Sequence, residues 1–401
     1  MPASSRRPIA GLALVELLGM AVWFSTSAVV PALTREWGLS PSGQAWMTMA
    51  VQLGFVIGAL GSAVLNLADR IPSPRFFSIS AFLAAFLTAL IPLLSDGPGT
   101  AIPLRFLTGL SLAGVYPVGM KIMATWTREN RGWGIGLLVG ALTVGSAVPH
   151  LANFLGGFKD WRLVLYSAAG LAAAGGLLAL LFVREGPYAT SAPKFDWGYA
   201  LRAWRNKEIT LANFGYFGHM WELYAVWTWA PVFLAASFDL TGIPGRWSGL
   251  AAFAVIGAGS IGSLVAGKLA DRFGRTTVTI SSLTVSGACC LLVGFFFGGR
   301  PFWLFLVCLV WGFAVVADSA QFSAGISELC PAERTGTALT LQTSLGFLLT
   351  MVSIRLVPSF AARVGWRWAF VFLALGPAAG IWAMAKLRRL PEAEKMACGR
   401  K

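Results

Sequence analysis

Apolar runs of membrane-spanning length follow one another from end to end of this chain, and no other feature constrains its fold as tightly. A hydrocarbon core of ~30 Å needs about 20 residues of α-helix. Twelve runs qualify, at about 9–33, 42–67, 76–95, 101–126, 134–157, 161–183, 209–238, 246–270, 277–298, 302–329, 336–361 and 367–387. Backbone polar groups in lipid must be satisfied within the segment, so the runs read as helices. A barrel would alternate apolar and polar residues, and these runs do not. Of the 401 residues, 56% are hydrophobic and only 12% charged, whereas about a quarter of a soluble domain is charged. Lipid must therefore cover much of the surface. Arg6 and Arg7 ahead of an apolar run imitate a signal peptide, but the run continues to about Leu33 and contains Glu16. It is too long for a cleaved apolar region and reads as a first span.

The basic residues set the orientation. Seven of the 31 fall on the outer side if the N-terminus is cytoplasmic (Arg35, Lys159, Arg162, Arg246, Arg300, Arg363, Arg367), three lie within spans (Arg105, Lys121, Arg355), and the other 21 are cytoplasmic. Both termini are thus expected in the cytoplasm, and the expected site is the inner membrane of a prokaryote. The net charge of +14 is scattered over short loops and forms no basic stripe along a polar helix, which argues against nucleic acid as a partner. Cys289, Cys290, Cys308, Cys330 and Cys398 are odd in number and lack metal-ligand spacing, so they read as small apolar residues.

A polar stretch, 184–208, divides the chain, and the parts on either side repeat. Leu67-Ala68-Asp69-Arg70 recurs as Leu269-Ala270-Asp271-Arg272, Trp161-Arg162 as Trp366-Arg367, and the pair Glu16 and Trp23 as Glu222 and Trp229, at offsets of 202, 205 and 206 residues. Internal repeats around a central site mark secondary transporters. The expected fold is an all-α membrane protein with twelve transmembrane helices in two pseudo-symmetric six-helix bundles, 1–183 and 209–401, joined by a cytoplasmic loop, 184–208.

Gly267-Lys268-Leu269-Ala270-Asp271-Arg272-Phe273-Gly274-Arg275 resembles the loop motif of the major facilitator superfamily, G-x-L-A-D-R-x-G-R, at every fixed position. The first copy keeps Leu67 to Arg70 but has Leu65 and Pro72 in place of glycine and Ser73 in place of a basic residue. Arg105, Gly109 and Pro117 resemble the family's fourth-span pattern, and Arg131-Gly132 follow in the next loop. The resemblance covers nearly the whole chain and implies alternating access by a monomer. In span five, Gly136 and Gly145 keep the spacing of the family's antiporter signature, but Pro149 and His150 replace its glycine and proline. No arginine lies in mid-span two or eight, where the family's nitrate porters have one.

The candidate gating residues are Asp69, Arg70, Gly267, Asp271, Arg272 and Gly274. Glycine lets helices approach closely, and Asp271 can sit against the positive N-terminal end of a neighbouring helix. The alternative is a solvated turn. Three carboxylates lie inside spans: Glu16, Glu222 and Asp318. A charge at mid-bilayer is costly and faces a cavity or a partner, and a carboxylate in low dielectric can take up and release a proton near neutral pH. These residues and His219, one turn before Glu222, are the proton-coupling candidates, with Glu222 placed first. The substrate-binding candidates are Arg105, Trp23, Tyr116, His150, Trp229 and Gln321. Arg105 can grip a carboxylate with two prongs or clamp helices together. The face of span seven that carries Glu222 also carries Gly215, Gly218, His219 and Trp229, an acid–aromatic–small mixture suited to a solute path. The alternative for these residues is a packing contact between helices.

The leading expectation is a proton-coupled symporter for a small anionic or zwitterionic organic solute. The alternatives are proton-coupled efflux of amphipathic cations or drugs, and a transporter-like sensor that moves nothing. No phosphate loop, metal cluster or nucleophile–base pair stands at motif spacing, so neither enzyme activity nor any cofactor or metal is expected. The expected partners are the solute, protons and the lipid bilayer.

Overall fold

The computed structural model describes residues 3–127, 131–157, 159–189 and 195–401, and every regular element among them is helical. The first apolar run is broken. It forms α1 (Ala3–Met20), a turn of 3₁₀ helix at Ser27–Val29 and α2 (Val30–Trp37). Between them the chain tightens into i→i−3 bonds, Ala21 to Leu18, Trp23 to Met20 and Ser25 to Val22. That geometry leaves main-chain carbonyls available to other partners.

The remaining N-terminal helices are α3 (Pro41–Leu65), the single turn α4 (Leu67–Arg70), α5 (Ser73–Leu94), α6 (Pro98–Leu112), α7 (Tyr116–Trp126), α8 (Arg131–Ala152) and α9 (Trp161–Phe182). A short helix, α10 (Trp197–Arg202), follows in the central loop, whose residues 190–194 lie outside the described chain. The C-terminal helices are α11 (Lys207–Leu240), α12 (Trp247–Phe273), α13 (Arg275–Leu292), α14 (Pro301–Ala317), α15 (Ser319–Leu329), α16 (Thr335–Val364) and α17 (Leu375–Arg388). Capping starts several of them. Ser40 Oγ accepts from the Gly43 N–H ahead of α3 with Pro41 at its first position, and Asp160 accepts from the Arg162 N–H ahead of α9.

Eleven helical stretches among the described residues are long and apolar enough to cross a membrane, with α6–α7 and α14–α15 each counted as one. They correspond to the second to twelfth predicted runs. The first run falls short because its unbroken part begins with polar residues and ends at Met20.

Within the N-terminal helices α3 packs on α6, α5 on α9, and α1 on α8 and α9; within the C-terminal helices α11 packs on α16 and α17, α12 on α14, and α13 on α14 and α17. The two groups meet along α8–α12 and α3–α16. Lipid supplies no hydrophobic drive between helices, so association rests on close backbone approach and hydrogen bonds. At the α3–α6 contact, a Cβ on Gly54 or Gly109 would stand 1.9 Å from a carbonyl oxygen of the other helix.

Candidate functional site

Where the two groups meet, the structure encloses a cavity of about 40 Å³. The N-terminal side contributes Tyr116 from α7 and Val139, Leu142 and Thr143 from α8. Across from them stand Tyr216, Met220, Leu223, Tyr224 and Trp227 of α11, with Ser319 and Ser323 of α15 and Thr343 and Phe347 of α16. The α11 residues fall on one face, since positions three, four and seven apart align on a helix. The volume admits water but is far below the ~300 Å³ of a ligand pocket. Close contacts with α12 flank the stretch of α8 that lines the cavity. At one end Ser263 Oγ donates to the Gly136 carbonyl at 2.8 Å. At the other, a Cβ on Gly249 would stand 2.9 Å from the His150 carbonyl.

Of the sequence-predicted binding residues, Tyr116 alone lines this cavity. Trp23 sits behind it, its ring 5.5 Å from Phe347 and 6.1 Å from Tyr224. Arg105 is fully buried and turns to the broken first span. Its guanidinium donates to the carbonyls of Val22 (2.8 Å), Trp23 and Met47 (3.3 Å) and to Ser25 Oγ (3.3 Å). It occupies the carbonyls that the i→i−3 stretch exposes, which is the clamp arrangement. His150 is buried with neither ring nitrogen hydrogen-bonded. Trp229 donates to the Ile354 carbonyl at 2.9 Å and packs on Trp366. Gln321 accepts from Arg275 at 2.7 Å.

The face of α11 that bears Glu222 turns away from the cavity, into the packing of the C-terminal helices. Gly218 abuts Gly376 of α17. The Glu222 carboxylate accepts from Trp311 Nε1 (2.5 Å), Ser286 Oγ (2.9 Å) and Cys290 Sγ (3.1 Å). Cys290, read from sequence as apolar filling, is therefore a polar partner. His219 Nδ1 lies 2.8 Å from Asp318 Oδ1, both side chains 1% exposed. This is an ion-pair distance with no donor aligned on that oxygen, and His219 Nε2 is also unpartnered. Glu16 is the contrast. It is fully buried, neither oxygen accepts a hydrogen bond, and a Cβ on Gly119 of α7 would stand 2.3 Å from its Oε2. Tyr116, one turn before Gly119, lies within its electrostatic reach.

The two loop-motif aspartates have different neighbours. Asp69 pairs with Lys121 of α7 at 2.5 Å, within the N-terminal helices, and Lys121 also donates to the Ala68 carbonyl. Asp271 pairs with Arg275 at 3.1 Å and reaches the first turn of α8, where a Cβ on Gly132 would stand 2.8 Å from its Oδ1. Arg275 also holds Glu328 at 2.8 Å. Gly267 faces the Gly132 carbonyl, and Gly274 links α12 to α13 at φ +93°, a conformation that favours glycine. Arg70 and Arg272 are exposed.

A family model described as Major Facilitator Superfamily matches residues 12–354 and 214–399. The chain belongs to the Major Facilitator Superfamily. Membership and the eleven apolar helices make it an integral membrane protein. Among relatives of this superfamily member, the 4-hydroxybenzoate transporter PcaK of Pseudomonas aeruginosa is 32% identical over 154 residues, which is 38% of this chain and 32% of PcaK. That match thus spans about a third of the relative's length. The niacin transporter NiaP of Acinetobacter baylyi is 27% identical over 32% of each chain. The putative metabolite transport protein YyaJ of Bacillus subtilis is 24% identical over 94% of this chain and 90% of its own. The fold is shared with the human organic anion transporter MFSD10, at a TM-score of 0.72 and 15% identity, covering 96% of this chain and all of that one. The nucleoside transporter NupG also has a TM-score of 0.72 at 15% identity, covering 94% of this chain and 99% of NupG.

Proposed function

We propose that the protein is a secondary transporter that carries a small organic acid with an aromatic ring, together with a proton, by alternating access. The observation that carries this reading is the cavity at the junction of the two groups of helices, lined from both by aromatic rings and hydroxyls. A site shared by two bodies is what rocking of one against the other would expose to each side in turn. Rings offer a planar solute stacking surface, and hydroxyls both donate and accept. The 4-hydroxybenzoate named for PcaK and the niacin named for NiaP support the same solute class.

On this reading the chain crosses the membrane twelve times in two six-helix bundles, 1–183 and 209–401, with both termini and the 184–208 loop in the cytoplasm. The broken first run is then a span bent around Arg105. The protein would work as a monomer in a prokaryotic inner membrane. Among the acids, Glu16 is the foremost proton carrier. It can change protonation without disturbing a hydrogen bond, whereas a proton on Glu222 must displace or reverse at least one of the three that it accepts, Ser286 on Oε2 or Trp311 and Cys290 on Oε1.

Counterflow tests the reading. Proteoliposomes loaded with unlabelled 4-hydroxybenzoate or nicotinate should take up the labelled compound from outside, well above protein-free liposomes. Uptake equal to that of protein-free liposomes for both compounds would refute the solute class. Uptake of an amphipathic cation in their place would favour cation efflux.

A further inference from the structure

The cations held within the helix packing, Arg105, Arg275 and Lys121, are each matched by other groups. Arg105 faces three carbonyls and a hydroxyl. Arg275 holds Glu328, Asp271 and Gln321. Lys121 holds Asp69 and the Ala68 carbonyl. None of the described residues that line the cavity is cationic. Its polar side-chain groups are the hydroxyls of Tyr116, Thr143, Tyr216, Tyr224, Ser319, Ser323 and Thr343. Behind the wall lie Glu16, within electrostatic reach of Tyr116 and accepting no hydrogen bond, and the His219–Asp318 pair, in which His219 packs on Tyr216 and is matched by the Asp318 carboxylate at 2.8 Å.

A bare carboxylate here would be an uncompensated charge out of water, and such a group takes up a proton instead. Hydroxyls suit the protonated form well, because a neutral carboxyl donates one hydrogen bond and accepts others, as a hydroxyl does. We propose that the cavity, widened to admit a solute when the two groups of helices part, holds that solute uncharged: an aromatic acid binds as the protonated carboxylic acid, the matching carboxamide binds in the same way, and a permanently ionised sulfonate does not bind. On this reading Glu16 relays the acid's single proton to and from the bound carboxyl and keeps none over a cycle, so one proton crosses with each carboxylate and no net charge moves. This specificity rests on the aromatic-acid reading above.

Binding titrations of the purified full chain with 4-hydroxybenzoate, 4-hydroxybenzamide and 4-hydroxybenzenesulfonate, between about pH 5.5 and 7.5, test it. The neutral fraction of a carboxylic acid above its pKa falls about tenfold per pH unit. The apparent Kd of the acid should therefore rise by about that factor per unit, while the Kd of the amide stays constant. The sulfonate should show no binding. Sulfonate binding as tight as that of the acid would overturn the proposal, as would binding of the acid without the amide. Absence of binding by acid and amide alike at every pH would remove the aromatic-acid reading itself, and this specificity with it.

Discussion

Glu16 and Glu222 stand 206 residues apart on the first and seventh predicted spans, and their carboxylates have opposite surroundings. Trp311, Ser286 and Cys290 all donate to Glu222, and nothing donates to Glu16. Replacing each glutamate by methionine of similar shape separates the two roles. Glu222→Met strands the buried Trp311 N–H, and an unsatisfied buried donor costs about 1–3 kcal/mol. The melting temperature in detergent should fall by a few degrees. Glu16→Met removes a buried polar group that has no partner and should leave the melting temperature unchanged or higher. Equal destabilisation by the two substitutions would contradict this assignment.

On the proposed reading, Glu16, which accepts no hydrogen bond and lies within electrostatic reach of Tyr116 on the cavity wall, relays the coupled proton. In Glu16→Gln, accumulation of 4-hydroxybenzoate driven by a pH gradient should fall by about tenfold or more, as for loss of a positioned proton donor. Counterflow of 4-hydroxybenzamide, which needs no proton, should survive. Glu222→Gln should keep both fluxes, since Ser286 can turn to accept from the new amide. A loss of gradient-driven uptake confined to Glu222→Gln would return the coupling role to the seventh span.

Two faces of α11 compete for the solute, and only one borders the cavity. Tyr216→Phe and Tyr224→Phe each remove a cavity hydroxyl worth ~1 kcal/mol in a hydrogen bond, so binding should weaken about fivefold. Trp229→Phe, on the opposite face, should bind normally. Calorimetric titration of the three variants with one aromatic acid distinguishes them, and the reverse ranking would move the site to the Glu222 face.

Asp271 reaches across to α8, whereas Asp69 pairs within its own group of helices. Asp271→Asn weakens the attraction to the positive end of α8, a contribution of ~0.3–1 kcal/mol. Ser263, buried against Gly136, reports on that contact. In a background without the five native cysteines, Ser263→Cys should react with a thiol reagent several times faster when Asp271→Asn is added. It should not do so when Asp69→Asn is added. Equal acceleration by both would show that the two loops act alike.

The fold was largely legible in the sequence because lipid imposes long apolar helices, and eleven of the runs needed only that rule. The break in the first run was not, because its cause is tertiary. The carbonyls at Val22 and Trp23 are taken by Arg105, 83 and 82 residues away; Gly19 and Pro31 flank the break but do not reveal that partner. The site was only partly legible. Periodicity found a polar face on α11 but could not say which face meets the other group of helices. The spacing of Tyr216, Met220, Leu223, Tyr224 and Trp227 was the available signal. Thr143, Ser319, Ser323 and Thr343 carry no such signal, since isolated hydroxyls in spans commonly bond their own backbone, as Thr143 does to Val139 at 2.8 Å.

Coupled carriage of acid and proton is tested most directly by following internal pH and labelled solute together in proteoliposomes with no imposed gradient. Adding 4-hydroxybenzoate outside should drive solute and protons inward at matched rates, faster than in protein-free liposomes or with Glu16→Gln, and without any change when the membrane is made selectively permeable to potassium. Protein-dependent solute entry with no accompanying acidification, or entry that stalls until potassium can move, would contradict it.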